Sequence, residues 1–347
     1  MASFVAALAP APVRATNLVQ ANSARATPLR SSPRRPPSSL PAVVAGGMAA
    51  CKALAARGSA RGLSGRGAAA GGSAPPEAFP PAVIIGGGRL GEAFATMGLG
   101  QDIIVRRGDA FPVDAPKGPV YVCTRNDVLK DIIASVPEDR HEDLVFVQNG
   151  ALMPFLDKEL RPGLPITILL VYFAVAKKGE APLDGKTDTD PEGLTAVNAG
   201  GKWAREVNWR LTSSDLACRI LRKPHFTQAY WEKNLWIAAY MLVGSLHSCT
   251  VGEVESKHRA EVDEMITQLA TAVSATQPEV RWEQLLLCDR LAAYARSVAH
   301  FPTAVKEFEW RNGAFYDMTL QAEAAGRPDP CPKHTDGLRT VGALPAD

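Results

Sequence analysis

The chain has 347 residues with 38 Lys+Arg against 36 Asp+Glu, yet residues 1–76 hold nine basic side chains and no carboxylate, leaving 29 basic and 36 acidic residues in the 271-residue body. A body of formal charge −7 excludes a generally basic nucleic-acid binder, because neutralising phosphate needs surplus Lys and Arg on the folded part. The 46% hydrophobic content excludes collagen-like and wholly disordered classes, and with no apolar run near about 18 residues free of charge, no membrane span is expected.

Residues 1–76 are rich in Ala, Arg, Ser, Pro and Gly and nearly free of aromatics. That composition predicts an organellar targeting segment, with the chloroplast as first destination and the mitochondrion as second. The early apolar stretch Phe4 to Ala9 is short and has no basic residue before it, which argues against a secretory signal. Six cysteines, Cys51 among them, include no CxxC pair, so buried free thiols are expected and no metal site.

The body opens with a short β-branched run, Ala82 to Ile85, then Gly86-Gly87-Gly88-Arg89-Leu90-Gly91, then a helical stretch from Glu92 to Leu99. Strand, glycine turn and helix in that order fit GxGxxG at Gly86, Gly88 and Gly91, with Arg89 and Leu90 between. The first glycine allows the tight turn, the second lets backbone approach a pyrophosphate, and the third lets helix and strand pack closely. Further strands are predicted at Asp102–Arg106, Pro119–Cys123, Asp143–Val147, Ile166–Val175 and Leu194–Asn198, with a helix over Asp127–Ser135. Alternation of strands and helices predicts a Rossmann-type parallel sheet. From Ser213 the pattern becomes helical, at 214–223, 226–248, 253–275, 279–299 and 303–324. The expected division is therefore a dinucleotide domain over 77–205, an all-helical domain over 206–325, and a loop-like tail over 326–347.

About twenty residues past Gly86, where an NAD site places a carboxylate, stand Arg106 and Arg107. Cations there suit a 2′-phosphate, and Arg125, just after a strand, can join them by a bidentate contact. NADP(H) is the expected cofactor.

In order along the chain, Gly86–Gly91, Val105-Arg106-Arg107, Cys123-Thr124-Arg125, Gln148-Asn149-Gly150, Trp231-Glu232-Lys233, Val251-Gly252-Glu253, and Glu307 followed by Asn312-Gly313 resemble the ketopantoate reductase family. This family lies within the phosphogluconate-dehydrogenase-like two-domain oxidoreductases. The resemblance spans about residues 82 to 316 and implies a Rossmann domain followed by a helical one. It implies that Lys233 is the catalytic lysine, giving its proton to a substrate carbonyl as hydride arrives from NADPH, and that Glu307 orients or tunes it. It implies that Asn149 lies by the nicotinamide ribose and substrate, and that Ser297 binds substrate. A small 2-oxo acid is the implied partner, and a homodimer is among the assemblies it allows.

One departure stands out. The family's asparagines four and eight residues after the lysine are here Ile237 and Met241. Asn234 lies about 100° around the helix from Lys233 and cannot replace them, whereas Tyr230 and Tyr240 share its face and could supply hydroxyls. A catalytically silent NADP(H)-binding sensor or assembly partner therefore stands beside the reductase, and an imine reductase is a further option. A fluorescent-protein fusion of residues 1–76 should enter the chloroplast; diffuse cytosolic fluorescence would refute the targeting reading, and mitochondrial fluorescence would select the second destination.

Overall fold

A computed structural model describes residues 79–344, so residues 1–76, expected to be a targeting segment, and Cys51 with them lie outside the described residues. Strands β1 (Val83–Ile85), β2 (Ile103–Val105), β3 (Val120–Val122), β4 (Leu144–Phe146), β5 (Thr167–Leu170), β6 (Ala196–Asn198) and β7 (Arg219–Leu221) form one sheet in the order β2-β1-β3-β4-β5-β6-β7. The first five strands pair in parallel, β6 turns antiparallel to β5, and β7 runs parallel to β6. Residues of β1, β3 and β4 are buried throughout, as parallel strands covered on both faces require.

Helix α1 (Arg89–Thr96) follows β1, α2 (Leu129–Ser135) joins β3 to β4, α3 (Met153–Glu159) joins β4 to β5, and α4 (Ala204–Thr212) joins β6 to β7. No helix joins β2 to β3, which fits the short connection from Arg107 to Pro119. One face of the sheet is tied together by Arg210 of α4, only 2% exposed. Its guanidinium donates to Glu206 at 2.7 Å, to Asp102 at 2.5 Å and to the Phe94 carbonyl at 2.8 Å. Glu206 accepts from the Tyr121 hydroxyl at 2.6 Å, and Asp102 accepts from the Ala82 backbone at 2.8 Å. One buried cation thus fixes α4 against β1, β3, α1 and the entry to β2.

Four expectations are corrected. Residues 214–223 are not a helix: Arg219–Leu221 is β7, whose first backbone N–H donates to Thr195 at 2.9 Å. The change from sheet to helices therefore falls at 222–224 and not near 205. Residues 253–275 are two helices, α6 (Val251–Lys257) and α7 (Arg259–Thr276), and α6 begins with a capping box between Thr250 and Glu253. The tail is not all loop, because α11 (Pro332–Thr340) packs on the central helix with His334, Thr335 and Leu338 buried. The predicted helix at 303–324 begins late, since 302–307 is irregular before α9 (Phe308–Arg311) and α10 (Gly313–Ala324).

The centre of the helical part is α5 (His225–His247), buried without interruption from Tyr230 to Tyr240. A helix buried on all sides over this length forms the core of its domain. Helices α6, α7, α8 (Gln284–Ser297) and α11 pack around it. No helix among the described residues is long and apolar enough to cross a membrane.

Arg210→Ala should destabilise the protein by about 3 to 5 kcal/mol in urea unfolding, because Glu206 and Asp102 would be left buried and unpaired. A loss below about 1 kcal/mol would show that the sheet does not depend on this cation.

Candidate active site

The strand order reverses direction between β1 and β3, and a crevice opens there beyond the carboxyl ends of the strands. Gly86 follows β1, Cys123-Thr124-Arg125 follows β3, Gln148-Asn149-Gly150 follows β4, and Val171-Tyr172 follows β5. The reading of one glycine turn at a strand end therefore extends to four neighbouring strand ends.

The three glycines divide their tasks. Gly86 has φ +112°, and a Cβ there would come 2.6 Å from the Cys123 carbonyl oxygen. A Cβ on Gly91 would come 1.8 Å from the Gly86 oxygen, so this residue lets α1 pack against the turn. Nothing lies within 4 Å of a Cβ on Gly88, so its openness faces the crevice and serves no packing. Gly88 is also the N-cap of α1, and no side chain caps that helix. Its first N–H groups, on Arg89, Leu90 and Gly91, are left for an anion beyond the protein.

Two cavities flank this turn and share Cys123, Thr124 and Arg125. The first, about 750 Å³, takes in Gly88, Arg89, Leu90, Arg125, Asn149, Lys233 and Glu307, so these sequence-predicted residues come together although they are separated by more than 200 positions. The second, about 760 Å³, lies between β1, β2 and β3 and is lined by Gly86, Arg106, Arg107 and Arg125. The Thr124 hydroxyl, on the shared wall, is buried without a hydrogen-bond partner among the described residues. Arg106 bonds Glu92 at 3.0 Å and folds over Gly87, and Arg125 bonds Asp127 at 3.0 Å. Arg107 is exposed and makes no ion pair among the described residues. Lys178, at 2.9 Å from Glu92 and 3.3 Å from the Gly87 carbonyl, brings a further cation to the turn. Lys178 and Arg106 together hold the Glu92 carboxyl below its ordinary value.

Lys233 is 7% exposed and reaches from α5 to the end of β5, where its amine donates to the Val171 carbonyl and lies 4.7 Å from the centre of the Tyr172 ring. Burial, and then the nearby positive charge of Arg311, push its pKa down to about 7. Glu307 is in the same cavity but pairs with Arg311 at 2.7 Å and makes no hydrogen bond to Lys233. Its backbone is left-handed, φ 48°, an unfavourable conformation for a residue with a Cβ that sets its side chain at the start of α9. Asn149 is exposed to the cavity, while its carbonyl accepts from Asn126 at 2.8 Å.

Ser297 is not part of the site: it is exposed, lies outside both cavities, and its hydroxyl donates to the Tyr294 carbonyl at 2.8 Å in the last turn of α8. The two tyrosines also supply nothing here. Tyr230 accepts from the Met153 backbone at 3.1 Å, and the Tyr240 hydroxyl is buried without a partner among the described residues. Asn234 bonds the Tyr230 carbonyl at 2.9 Å inside α5, as its angular position implies. Ile237 and Met241 do line the cavity. The sequence reading missed Arg311, although its spacing four residues after Glu307 on a helix was a usable signal. It also missed Lys178 and Tyr172, which no local pattern marks.

No protein-family model and no curated protein matches the chain. Solved structures do. A D-mandelate dehydrogenase with NADH and anilino(oxo)acetate superimposes with TM-score 0.55 at 13% identity, over 76% of this chain and 97% of that one. A dimeric ketopantoate reductase from Staphylococcus aureus gives 0.55 at 16% identity, over 76% and 98%. A probable 2-dehydropantoate 2-reductase from Bacillus subtilis gives 0.54 at 14% identity, over 76% and 100%. The chain has the ketopantoate reductase fold. In that fold the Rossmann part and the helical part meet where Lys233 stands against Val171.

Because the Lys233 pKa falls from 10.5 to about 7 on folding, the unfolded chain binds more protons than the folded one between those values. Stability from this residue is thus lowest below pH 7 and rises toward pH 10. Relative to Lys233→Met, the wild type should gain on the order of 3 kcal/mol of unfolding free energy between pH 7 and 10. Parallel pH profiles for the two proteins in urea unfolding would show that the amine is not desolvated.

Proposed function

We propose that the protein is an NADPH-dependent reductase of the carbonyl of a small 2-oxo acid. The observation that carries this reading is a buried lysine, poised near neutral pH, in the same cavity as the open glycine turn. A dinucleotide fits the crevice on three counts: the space over Gly88, the uncapped start of α1, and the unpartnered Thr124 hydroxyl between the two cavities. Gly86, Gly88, Arg89, Leu90 and Gly91 would hold the diphosphate, Arg107 with Arg106 and Arg125 the 2′-phosphate, and Asn149 the nicotinamide ribose. NADPH supplies a hydride when bound there.

Negative charge grows on the carbonyl oxygen as its carbon accepts the hydride, and the product is a 2-hydroxy acid once that oxygen takes a proton. Lys233 is suited to both tasks, because its ammonium stabilises the charge and a pKa near 7 makes the proton available. The surrounding apolar wall strengthens that interaction by keeping water away. Glu307 acts through Arg311 and not by a direct bond to the amine. The solved structures of this fold named above are a dehydrogenase and two reductases of 2-oxo or 2-hydroxy acids, which supports the choice of substrate class. The chloroplast, from residues 1–76, is the proposed location.

The test is a comparison of Lys233→Ala with the wild type, using NADPH, NADH and a panel of 2-oxo acids. NADPH should bind at least about tenfold tighter than NADH, since charge-assisted bonds contribute roughly 1.5 to 3 kcal/mol each. Lys233→Ala should retain NADPH and lose about 10² to 10⁴ in turnover. The wild-type kcat/KM should fall as pH rises through about 7, where the free enzyme loses the Lys233 proton. NADPH binding without turnover of any acid would leave the silent sensor as the correct reading.

A further inference from the structure

Resting on the reductase reading, we propose that Arg311 binds the carboxylate of the substrate and that Trp236, Ile237, Met241, Phe301 and Pro302 hold an apolar tail, so that the acid reduced carries a branched or aromatic hydrocarbon group and no tail hydroxyl.

The carboxylate and the oxo group of a 2-oxo acid sit on adjacent carbons, so the groups that hold them must also be adjacent. Arg311 and Lys233 line the same cavity. Arg311 is fixed by Glu307, which takes its Nε at 3.1 Å and one Nη at 2.7 Å. The other Nη makes no hydrogen bond among the described residues, which leaves a planar donor already oriented. Lys306, also on this wall, is exposed and unanchored, so it would lose more side-chain freedom on binding. A carboxylate placed between Arg311 and Lys233 also offsets the repulsion that helps hold the amine near 7, so the substrate charges its own proton donor.

Ile237 and Met241 stand one and two turns beyond Lys233 on the same helical face. Ile237 is 5% exposed and Trp236 6% exposed, and the Trp236 ring meets Tyr294 edge-on at 4.8 Å. The Trp236 indole N–H is buried away from the cavity, and the hydroxyls nearby belong to Tyr294 and Tyr172, which meet edge-on at 4.8 Å, and not to the α5 face itself. A tail hydroxyl set against Ile237 and Met241 would face side chains that offer it no strong hydrogen bond, whereas a hydrocarbon of the same shape is favoured by its burial.

A matched pair of substrates reads this out: 3,3-dimethyl-2-oxobutanoate and its 4-hydroxy derivative, with NADPH and the full-length protein. The hydrocarbon acid should have the higher kcat/KM by about tenfold. Met241→Asn, at a half-buried position, should narrow that gap, with Ile237→Asn as a second route to the same change. Arg311→Gln should raise KM for both acids by about tenfold or more with NADPH affinity unchanged, and Arg311→Lys should recover part of the loss. In the wild type the alkaline limb of kcat should lie at higher pH than that of kcat/KM. Equal efficiency for the two acids, or preference for the hydroxylated one, overturns the apolar tail and leaves the reductase reading standing. An unchanged KM in Arg311→Gln overturns the carboxylate contact. If neither these acids nor other 2-oxo acids are reduced while NADPH binds, the reductase reading itself fails and this inference with it.

Discussion

An amine with no carboxylate partner, held at 7% exposure, is the constraint on which the site depends. Removing an ammonium from water costs several kcal/mol, and the protein answers that cost only in part. The Val171 carbonyl accepts one hydrogen bond and the Tyr172 ring offers its electron-rich face. The charge that acts on Lys233 is another cation, Arg311, whose own carboxylate partner is Glu307 at 2.7 Å. Each choice lowers the proton affinity of Lys233. A lysine placed for stability alone would be paired directly with a carboxylate such as Glu307.

Such a group must be held by rigid elements, because a displacement of about 1 Å would let water in or lose the contact. Lys233 sits mid-way along the most buried helix of the molecule, and its acceptor lies at the end of β5. The sheet end is in turn kept in place by Gln148, whose amide donates to the Val122 carbonyl at 2.6 Å and to the Thr124 carbonyl at 3.2 Å, while the Arg210 ion network braces the sheet at the entries to β1 and β2. These bonds are buried, so salt screens them little. The exposed pairs, such as Lys117 with Asp139, contribute far less to stability.

The legible parts of the sequence were those where one local pattern sets one structure. β-branched runs between turns gave β1, β3 and β4, and the glycine turn announced its own backbone. Gln148-Asn149-Gly150 and Val251-Gly252-Glu253 carried the resemblance for reasons of scaffold: Gly150 has φ +118° and a Cβ there would come 2.6 Å from the Trp310 carbonyl oxygen, and Glu253 closes a capping box. What was not legible depended on distant partners. Arg219–Leu221 is a strand because β6 offers it an open edge, and nothing within 214–223 records that edge. The helix at Pro332–Thr340 exists because α5 and α7 offer it a surface, with His334 bonding Asn312 at 3.1 Å. Ser297 failed for the opposite reason, since a residue type was matched without knowing which side of α8 faces the cavity.

The two halves of the crevice obey different rules, and this explains how identity can fall to 13–16% while the fold persists. On the side of the glycine turn the groups offered are backbone: N–H groups at the start of α1, with Gly86 and Gly91 placed where an added Cβ would come 2.6 and 1.8 Å from a carbonyl oxygen. Side chains there can drift as long as the turn is kept. On the other side the lining is made of side chains on one face of α5, and the exchange of an amide for Ile237 or Met241 alters hydrogen-bonding capacity while conserving most of the volume. Such an exchange is neutral or favourable for the core of the helical domain, since it replaces a polar group that needs a partner by one that does not. The helix can therefore change the polarity of this cavity wall without refolding, and Lys233, anchored one turn earlier to Val171, keeps its position through the change.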